Sequence, residues 1–123
     1  VVRIVTMAGG VVIPTHPYRG GNSMGELIFA VPGISAVEGH NGANMHAMNV
    51  KAVEAAGKMK LPYTGGSDAH LPIEVGSCYT LFDDAVTGEN FLSLLKAGRF
   101  TGRDTRKISR AMMLWNSFRG AGE

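Results

Sequence analysis

Three short apolar runs in this chain each lead into a turn that carries polar side chains, and this pattern constrains the fold more than any other feature. The turns are His16-Pro17, Glu38-Gly39-His40-Asn41-Gly42 and Gly65-Gly66-Ser67-Asp68-Ala69-His70. In α/β proteins with parallel strands, the turns that follow the strands meet at one edge of the sheet. The pattern therefore predicts an α/β fold with a site assembled from several strand ends.

The third turn has the composition of a metal-binding segment. Asp68 and His70 lie two residues apart, shortly after the run Leu61-Pro62-Tyr63. A carboxylate oxygen and an imidazole nitrogen together suit zinc, manganese or iron, and the preceding glycines let the backbone turn sharply. The alternative is that Ser67-Asp68 caps a turn and that His70 is an ordinary surface histidine.

The first turn supplies another candidate ligand. His16 follows a β-branched run and precedes Pro17, and a following proline favours an extended backbone at the histidine. Because parallel strands with helical crossovers place their carboxyl ends together, we expect His16, Asp68 and His70 to converge at one end of the sheet.

Taken together, these segments resemble the carboxyl-terminal part of a PHP domain, the polymerase-and-histidinol-phosphatase family of metal-dependent phosphoesterases. The resemblance covers about residues 9–100 and is carried by Gly-Gly-Val-Val-Ile-Pro-Thr-His-Pro, Gly-Ile-Ser-Ala-Val-Glu-Gly-His-Asn-Gly and Leu-Pro-Tyr-Thr-Gly-Gly-Ser-Asp-Ala-His. It implies a partial (β/α) barrel of the PHP type, with largely parallel strands and crossover helices. It also implies that residues 1–123 are the carboxyl-terminal part of one such domain, whose amino-terminal half is missing.

The resemblance implies a role for each candidate. His16, Asp68 and His70 would be metal ligands, and Asp68 and His70 would also be catalytic. A complete domain would hold up to three divalent ions (zinc, manganese or iron), and water activated by these ions would hydrolyse a phosphorylated small molecule or nucleotide. Because the three residues would serve different ions, this chain alone would bind the metals poorly and would be inactive.

Four further polar residues lie near the predicted strand ends. Arg19 would either clamp a substrate phosphate through its planar guanidinium or extend into solvent. Glu38 and Asn41 would hydrogen-bond the ligands or water, and for Glu38 the alternative is a salt bridge. His40 is expected to line the pocket, and direct binding of a metal is the alternative. His46, on the polar side of the helix predicted at 43–59, is expected to be exposed.

Hydrophobic periodicity and turn residues divide the chain into alternating elements. Strands are predicted at 11–15, 34–38, 61–64 and 78–82. Helices are predicted at 24–30, 43–59 and 89–97, the last closed by Gly98. A basic amphipathic helix at about 104–118 would carry an apolar stripe of Ile108, Met112, Trp115 and Phe118.

Composition narrows the possible partners and location. The net charge of +2 is modest, so nucleic acid is not expected as a separate partner. No apolar run reaches the roughly 18 residues that a membrane span needs. The single Cys78 is expected to be a small core residue, and one cysteine agrees with a reducing cytoplasm.

A function of a different class also fits the sequence. The chain would then be a non-catalytic α/β remnant that self-associates. If half of a barrel were missing, the barrel-facing side chains of Val11, Ile13 and Val37 would be uncovered, and open strand edges would pair with other chains. Either function leads us to expect a homo-oligomer, most simply a two-fold dimer.

Overall fold

The computed structural model describes residues 1–107. Its helices are α1 (Val2–Met7), α2 (His46–Met59) and α3 (Phe91–Ala97), and two 3₁₀ helices span Gly25–Ala30 and Pro72–Glu74. Its strands are β1 (Val37–Asn41), β2 (Tyr63–Gly66), β3 (Cys78–Phe82) and β4 (Phe100–Asp104). The α/β class is confirmed. The apolar stripe predicted for the helix at about 104–118 lies outside the described residues, whereas Asp104 ends β4.

The strands form one parallel pair and one antiparallel pair. β1 and β2 are parallel and are connected through α2, whereas β3 and β4 are antiparallel. Residues 1–107 therefore form two two-stranded sheets and no closed barrel. The short helix α3 connects β3 to the antiparallel strand β4. Gly98 ends this helix in the left-handed conformation. The ring of Phe100 then packs on Phe82, at 5.6 Å between centroids.

The predicted strand at 11–15 is an extended segment without a regular strand ladder. Ser35 N donates to Val12 O at 2.9 Å and Glu38 N donates to Pro14 O at 3.0 Å, so the segment runs beside β1. Proline has no N–H with which to continue such a ladder, and Pro14 and Pro17 both lie here. This first strand exit is therefore held against β1 by only a few hydrogen bonds.

The pair of strands β3 and β4 packs closely on β2. Thr80 Oγ1 accepts a hydrogen bond from Gly65 N at 3.0 Å and donates one to Gly65 O at 2.8 Å. A Cβ added at Gly65 would collide with the Tyr79 carbonyl, and one added at Gly102 would collide with the Thr64 carbonyl. Glycine is thus required at both positions by the close approach of backbones.

Two small apolar clusters form the core. One contains Ile28, Ile34, Val37 and Ala56, and the other contains Ala36, Leu95 and Phe100. Val37 is completely buried, and Val11 and Ile13 are partly buried against the second cluster. The prediction that these side chains would be uncovered is therefore wrong for Val37, which packs against α2, whereas Val11 and Ile13 are partly buried.

Candidate functional site

Arg19 lies at the centre of a group of polar side chains that joins the first, second and third turns. Its Nε donates to Asn44 Oδ1 and its Nη2 donates to Asn41 Oδ1, both at 2.7 Å. The same Nη2 forms an ion pair with Asp68 Oδ2. Arg19 therefore does not extend freely into solvent, and it connects the loop after Pro17 to the ends of β1 and β2.

Glu38 connects this group to the backbone of His16. Its Oε2 accepts hydrogen bonds from His16 N at 2.6 Å and from Asn41 Nδ2 at 3.1 Å. The carboxylate therefore acts through hydrogen bonds, and within residues 1–107 it forms no salt bridge. We call the side chains of Arg19, Glu38, Asn41, Asn44 and Asp68, with the backbone of His16, the Arg19 network.

Two residues of the site have unusual backbone conformations. His16 has φ 32° and Asp68 has φ 48°, so the prediction of an extended backbone at His16 is wrong. The His16 N–H bonds Glu38, and the His16 carbonyl accepts a hydrogen bond from Ser23 Oγ at 2.7 Å. These two bonds fix a conformation that a non-glycine residue seldom adopts, and such residues concentrate at functional sites.

Asp68 is a charged acceptor in this network. The hydrogen bond from Arg19 lowers the pKa of Asp68; burial opposes the shift, and the guanidinium charge adds to it. Asp68 is thus ionised at neutral pH and is neutralised by a cation of the protein itself. An arginine–carboxylate pair of this kind is a charge-assisted contact.

His70 is held apart from these bonds by its own local contacts. The residue is exposed, its Nδ1 lies 2.9 Å from Asp68 O, and its backbone N donates to Glu74 Oε2 at 2.7 Å. Glu74 also accepts from Leu71 N at the start of the second 3₁₀ helix. Asp68 and the His16 backbone therefore belong to the Arg19 network, whereas the hydrogen bonds of His70 within residues 1–107 stay in its own turn.

The side chains of this site do not by themselves make a metal centre. Within residues 1–107, no group of three or more His, Cys, Asp or Glu side chains is arranged to hold a metal ion. The carboxylate of Asp68 is paired with Arg19, and the buried Nδ1 of His16 has no hydrogen-bond partner among the described residues. The ligand roles of His16, Asp68 and His70 stay predictions.

His40 lies at a separate cavity. Its ring packs edge-on against Tyr63, at 5.4 Å between centroids. It lines a cavity of about 290 Å³ with His46, Tyr63, Gly102, Arg103, Asp104 and Arg106. None of these residues belongs to the Arg19 network. His46 was expected to be exposed, but it is half-buried and its Nδ1 is buried.

The ion pair between Asp104 and Arg106 was not predicted from the sequence. Arg106 Nε and Nη2 donate to the two Asp104 oxygens at 2.9 and 2.6 Å, and Nη1 donates to Gly42 O and Asn44 O at 2.8 and 2.7 Å. Burial alone would raise the pKa of Asp104, but the bonds from Arg106 lower it overall. Phe100 and Thr101, an aromatic and a β-branched residue, were the available signal for a strand here.

Cys78 is an interior residue, as predicted. It is buried in β3, and burial raises the pKa of its thiol to about 11. A thiol with such a pKa is almost entirely protonated at neutral pH and is a poor nucleophile.

Comparison with known proteins gives one match. Residues 46–100 match the family model described as PHP-associated, and this confirms the resemblance to the carboxyl-terminal portion of a PHP domain. The matched span includes Asp68 and His70 but not His16, Arg19 or Glu38. No curated protein and no solved structure matches the chain. Within residues 1–107, no helix is long and apolar enough to cross a membrane.

Proposed function

We propose that this chain forms the carboxyl-terminal part of the active site of a PHP-family phosphoesterase. The observation that carries the proposal is the Arg19 network, which gathers the turns after β1 and β2 around Asp68. Asp68 also lies in the segment that matches the PHP-associated family model. The substrate would be the phosphate ester of a small molecule or a nucleotide.

Arg19 is the proposed phosphate-binding residue. Its contacts with Asn41, Asn44 and Asp68 use Nε and Nη2, and no residue among 1–107 accepts a hydrogen bond from Nη1, which would donate to a phosphate oxygen. A guanidinium held in place by three side chains loses little conformational entropy when it binds an anion. The asparagines and Asp68 thus orient the guanidinium, and their bonds to Arg19 set its direction.

Asp68 and His70 are the proposed catalytic residues, and His16 joins them as a proposed metal ligand. Divalent zinc, manganese or iron would supply the activated water in a complete PHP site. Since residues 1–107 hold no cluster of three ligands, we propose that the ligand set is completed by residues outside those described. Asp68 would then bind the metal, and Asn41 and Asn44 would still hold the Arg19 guanidinium in place for the phosphate.

Hydrolysis of an aryl phosphate with manganese or zinc tests this proposal. The 123-residue chain should hydrolyse it no faster than its His70→Ala variant. A fusion of the chain behind the amino-terminal half of a PHP domain should be active, and His70→Ala should abolish that activity. Turnover by the chain alone that Asp68→Ala abolishes would contradict the proposal of an incomplete ligand set.

A second candidate function is a non-catalytic unit that self-associates. The observation that favours it is a set of exposed apolar side chains at α1 and at the second 3₁₀ helix. Ile4 and Met7 are 73% and 75% exposed, and Ile73 and Val75 are 89% and 71% exposed. Surface of this kind associates when it is contiguous. An inactive fusion that forms stable oligomers would favour this candidate.

A further inference from the structure

Three polar side chains are buried in the described part of the chain, and all three are asparagines. Asn41, Asn44 and Asn49 are 2%, 5% and 1% exposed, and no other polar or charged side chain among residues 1–107 is buried to this extent. Burying an amide costs free energy unless its polar atoms are paired. Asn41 and Asn44 bond Arg19, whereas Asn49 lies in α2 and bonds only the other two asparagines.

Asn49 bonds both backbone groups of Asn41. Its Nδ2 donates to Asn41 O at 3.0 Å, and its Oδ1 accepts from Asn41 N at 3.2 Å. A backbone N–H only donates and a carbonyl only accepts, so these two bonds fix the direction in which the Asn49 amide faces. The next residue, Gly42, donates its N–H to Gly66 O of β2. The end of β1 is thus held by α2 through Asn49 and by β2 through Gly42.

Asn49 also fixes the side chain of Asn44. Its Oδ1 accepts a second hydrogen bond, from Asn44 Nδ2 at 3.2 Å. Because the nitrogen and the oxygen of an amide belong to one planar group, this bond sets the direction of Asn44 Oδ1, which accepts from Arg19 Nε at 2.7 Å. The backbone of Asn44 is held separately, since Arg106 Nη1 donates to its carbonyl. Asn49 therefore determines where Arg19 finds its acceptor.

We propose that Asn49 is a positioning residue for phosphate binding by Arg19. Asn49 does not touch the substrate; it acts through Asn41 and Asn44, which together set the direction of the guanidinium. Asparagine is a poorer helix former than alanine, and the three bonds to Asn41 and Asn44 account for an asparagine inside α2. The inference rests on the proposed function, in which Arg19 binds the phosphate group of the substrate.

Kinetics of the fusion with an aryl phosphate test this role. Asn49→Ala should raise KM by about tenfold, the scale of one hydrogen bond to a charged group. It should leave kcat nearly unchanged, because an interaction made equally in the ground state and the transition state affects KM alone. Ala56→Gly is the matched control, since Ala56 is buried in α2 and packs in the cluster of Val37. A loss of stability alone lowers the amount of folded enzyme, and hence the apparent kcat, without changing KM.

A double-mutant cycle establishes whether Asn49 acts through Arg19. In the Arg19→Ala background, Asn49→Ala should have no further effect on KM, whereas independent contributions would add. If the alanine variant does not fold, Asn49→Ser takes its place, because the hydroxyl replaces part of the lost bonds, and KM should rise by a smaller factor. The inference is overturned if the Asn49 variant raises KM no more than Ala56→Gly does, or raises it equally with and without Arg19.

Hydrogen exchange in the 123-residue chain separates this inference from the proposed function. The Arg19 Nε–H signal, followed by NMR, should exchange with water about tenfold faster in Asn49→Ala than in the parent chain or in Ala56→Gly, because the bond to Asn44 is loosened. Unchanged exchange overturns the positioning role whatever the fusion does. Faster exchange together with an inactive parent fusion contradicts the proposed function and upholds Asn49 as the residue that orients Arg19.

Discussion

The guanidinium of Arg19 bonds three side chains: Asn41 at the end of β1, Asn44 before α2 and Asp68 after β2. About a third of the Arg19 side chain is exposed, so water screens its ion pair with Asp68. The neutral partners Asn41 and Asn44 are buried, and their amide oxygens would lose a donor if the guanidinium were removed. The hydrogen bonds to the asparagines therefore contribute more to stability than the ion pair does.

Arg19→Ala is accordingly expected to lower the free energy of unfolding by about 1–3 kcal/mol, the cost of leaving the buried Asn44 Oδ1 unpaired; Asn41 Oδ1 keeps its hydrogen bond from Ala43 N. Arg99→Ala is the matched control, because it breaks an ion pair with Asp84 in which both side chains are about half exposed. That variant should change stability by less than about 1 kcal/mol. Urea unfolding of the three proteins measures both effects, and equal losses would contradict the structural role given to Arg19.

Asp68 makes the stability of the fold depend on pH. Its pKa is lowered in the folded state, so its contribution is present above the unfolded pKa of about 3.9 and is lost as pH falls through the folded pKa. Asp68→Asn should therefore be less stable than the parent protein at pH 6, and the difference should shrink at acid pH. Unfolding free energies at several pH values measure this. Asp104 titrates equally in both proteins and cancels, and a difference that does not vary with pH would contradict the prediction.

Among the secondary-structure elements, β2 depends on glycine for a reason that its sequence does not reveal. The flexible Gly-Gly pair predicts a turn, but the structure places Gly65 under Thr80 of β3, where a side chain would strike the Tyr79 carbonyl. The contact joins residues far apart in sequence. Local pattern therefore finds the turn and misses the packing of the two strand pairs.

Gly65→Ala should consequently destabilise the protein by about 1–3 kcal/mol, the usual cost of overpacking. Gly57 in α2 offers a matched control, because it is exposed and has open space around its Cα. Gly57→Ala should leave stability unchanged or raise it by up to about 1 kcal/mol, since alanine is the better helix former. Chemical denaturation compares the two, and a neutral Gly65→Ala would show that β3 does not pack on β2 as described.

The elements that local pattern determines were predicted well. The sequence predicts α2, β3 and α3 with its Gly98 cap, because apolar spacing and capping residues act over one or two turns. β1 and β2 begin two or three residues later than predicted. Strand β4 was not predicted, because its pairing with β3 is a long-range contact that local pattern does not reveal. Arg19 and Asp68 were each predicted as site residues, but their ion pair was not.

At the scale of the whole molecule, the surface available for self-association differs from the expected one. Val37 is buried and Val11 and Ile13 are partly buried, whereas Ile4, Met7, Ile73 and Val75 are highly exposed. We still predict a homo-oligomer, now through this second set. Sedimentation at tens of micromolar should show a dimer or larger species, and Ile73→Ser should weaken it. A monodisperse monomer would contradict this prediction.

The most direct test of the proposed phosphoesterase site is the effect of Asp68→Asn on kcat/KM in a fusion that contains the amino-terminal half of a PHP domain. The asparagine keeps the size of the side chain but removes the charge that pairs with Arg19. We predict a loss of at least about 100-fold, since misplaced catalytic groups cost that much. Glu54→Gln, on an exposed face of α2, should leave kcat/KM unchanged. An Asp68→Asn fusion as active as the Glu54→Gln fusion would contradict the assignment of the site.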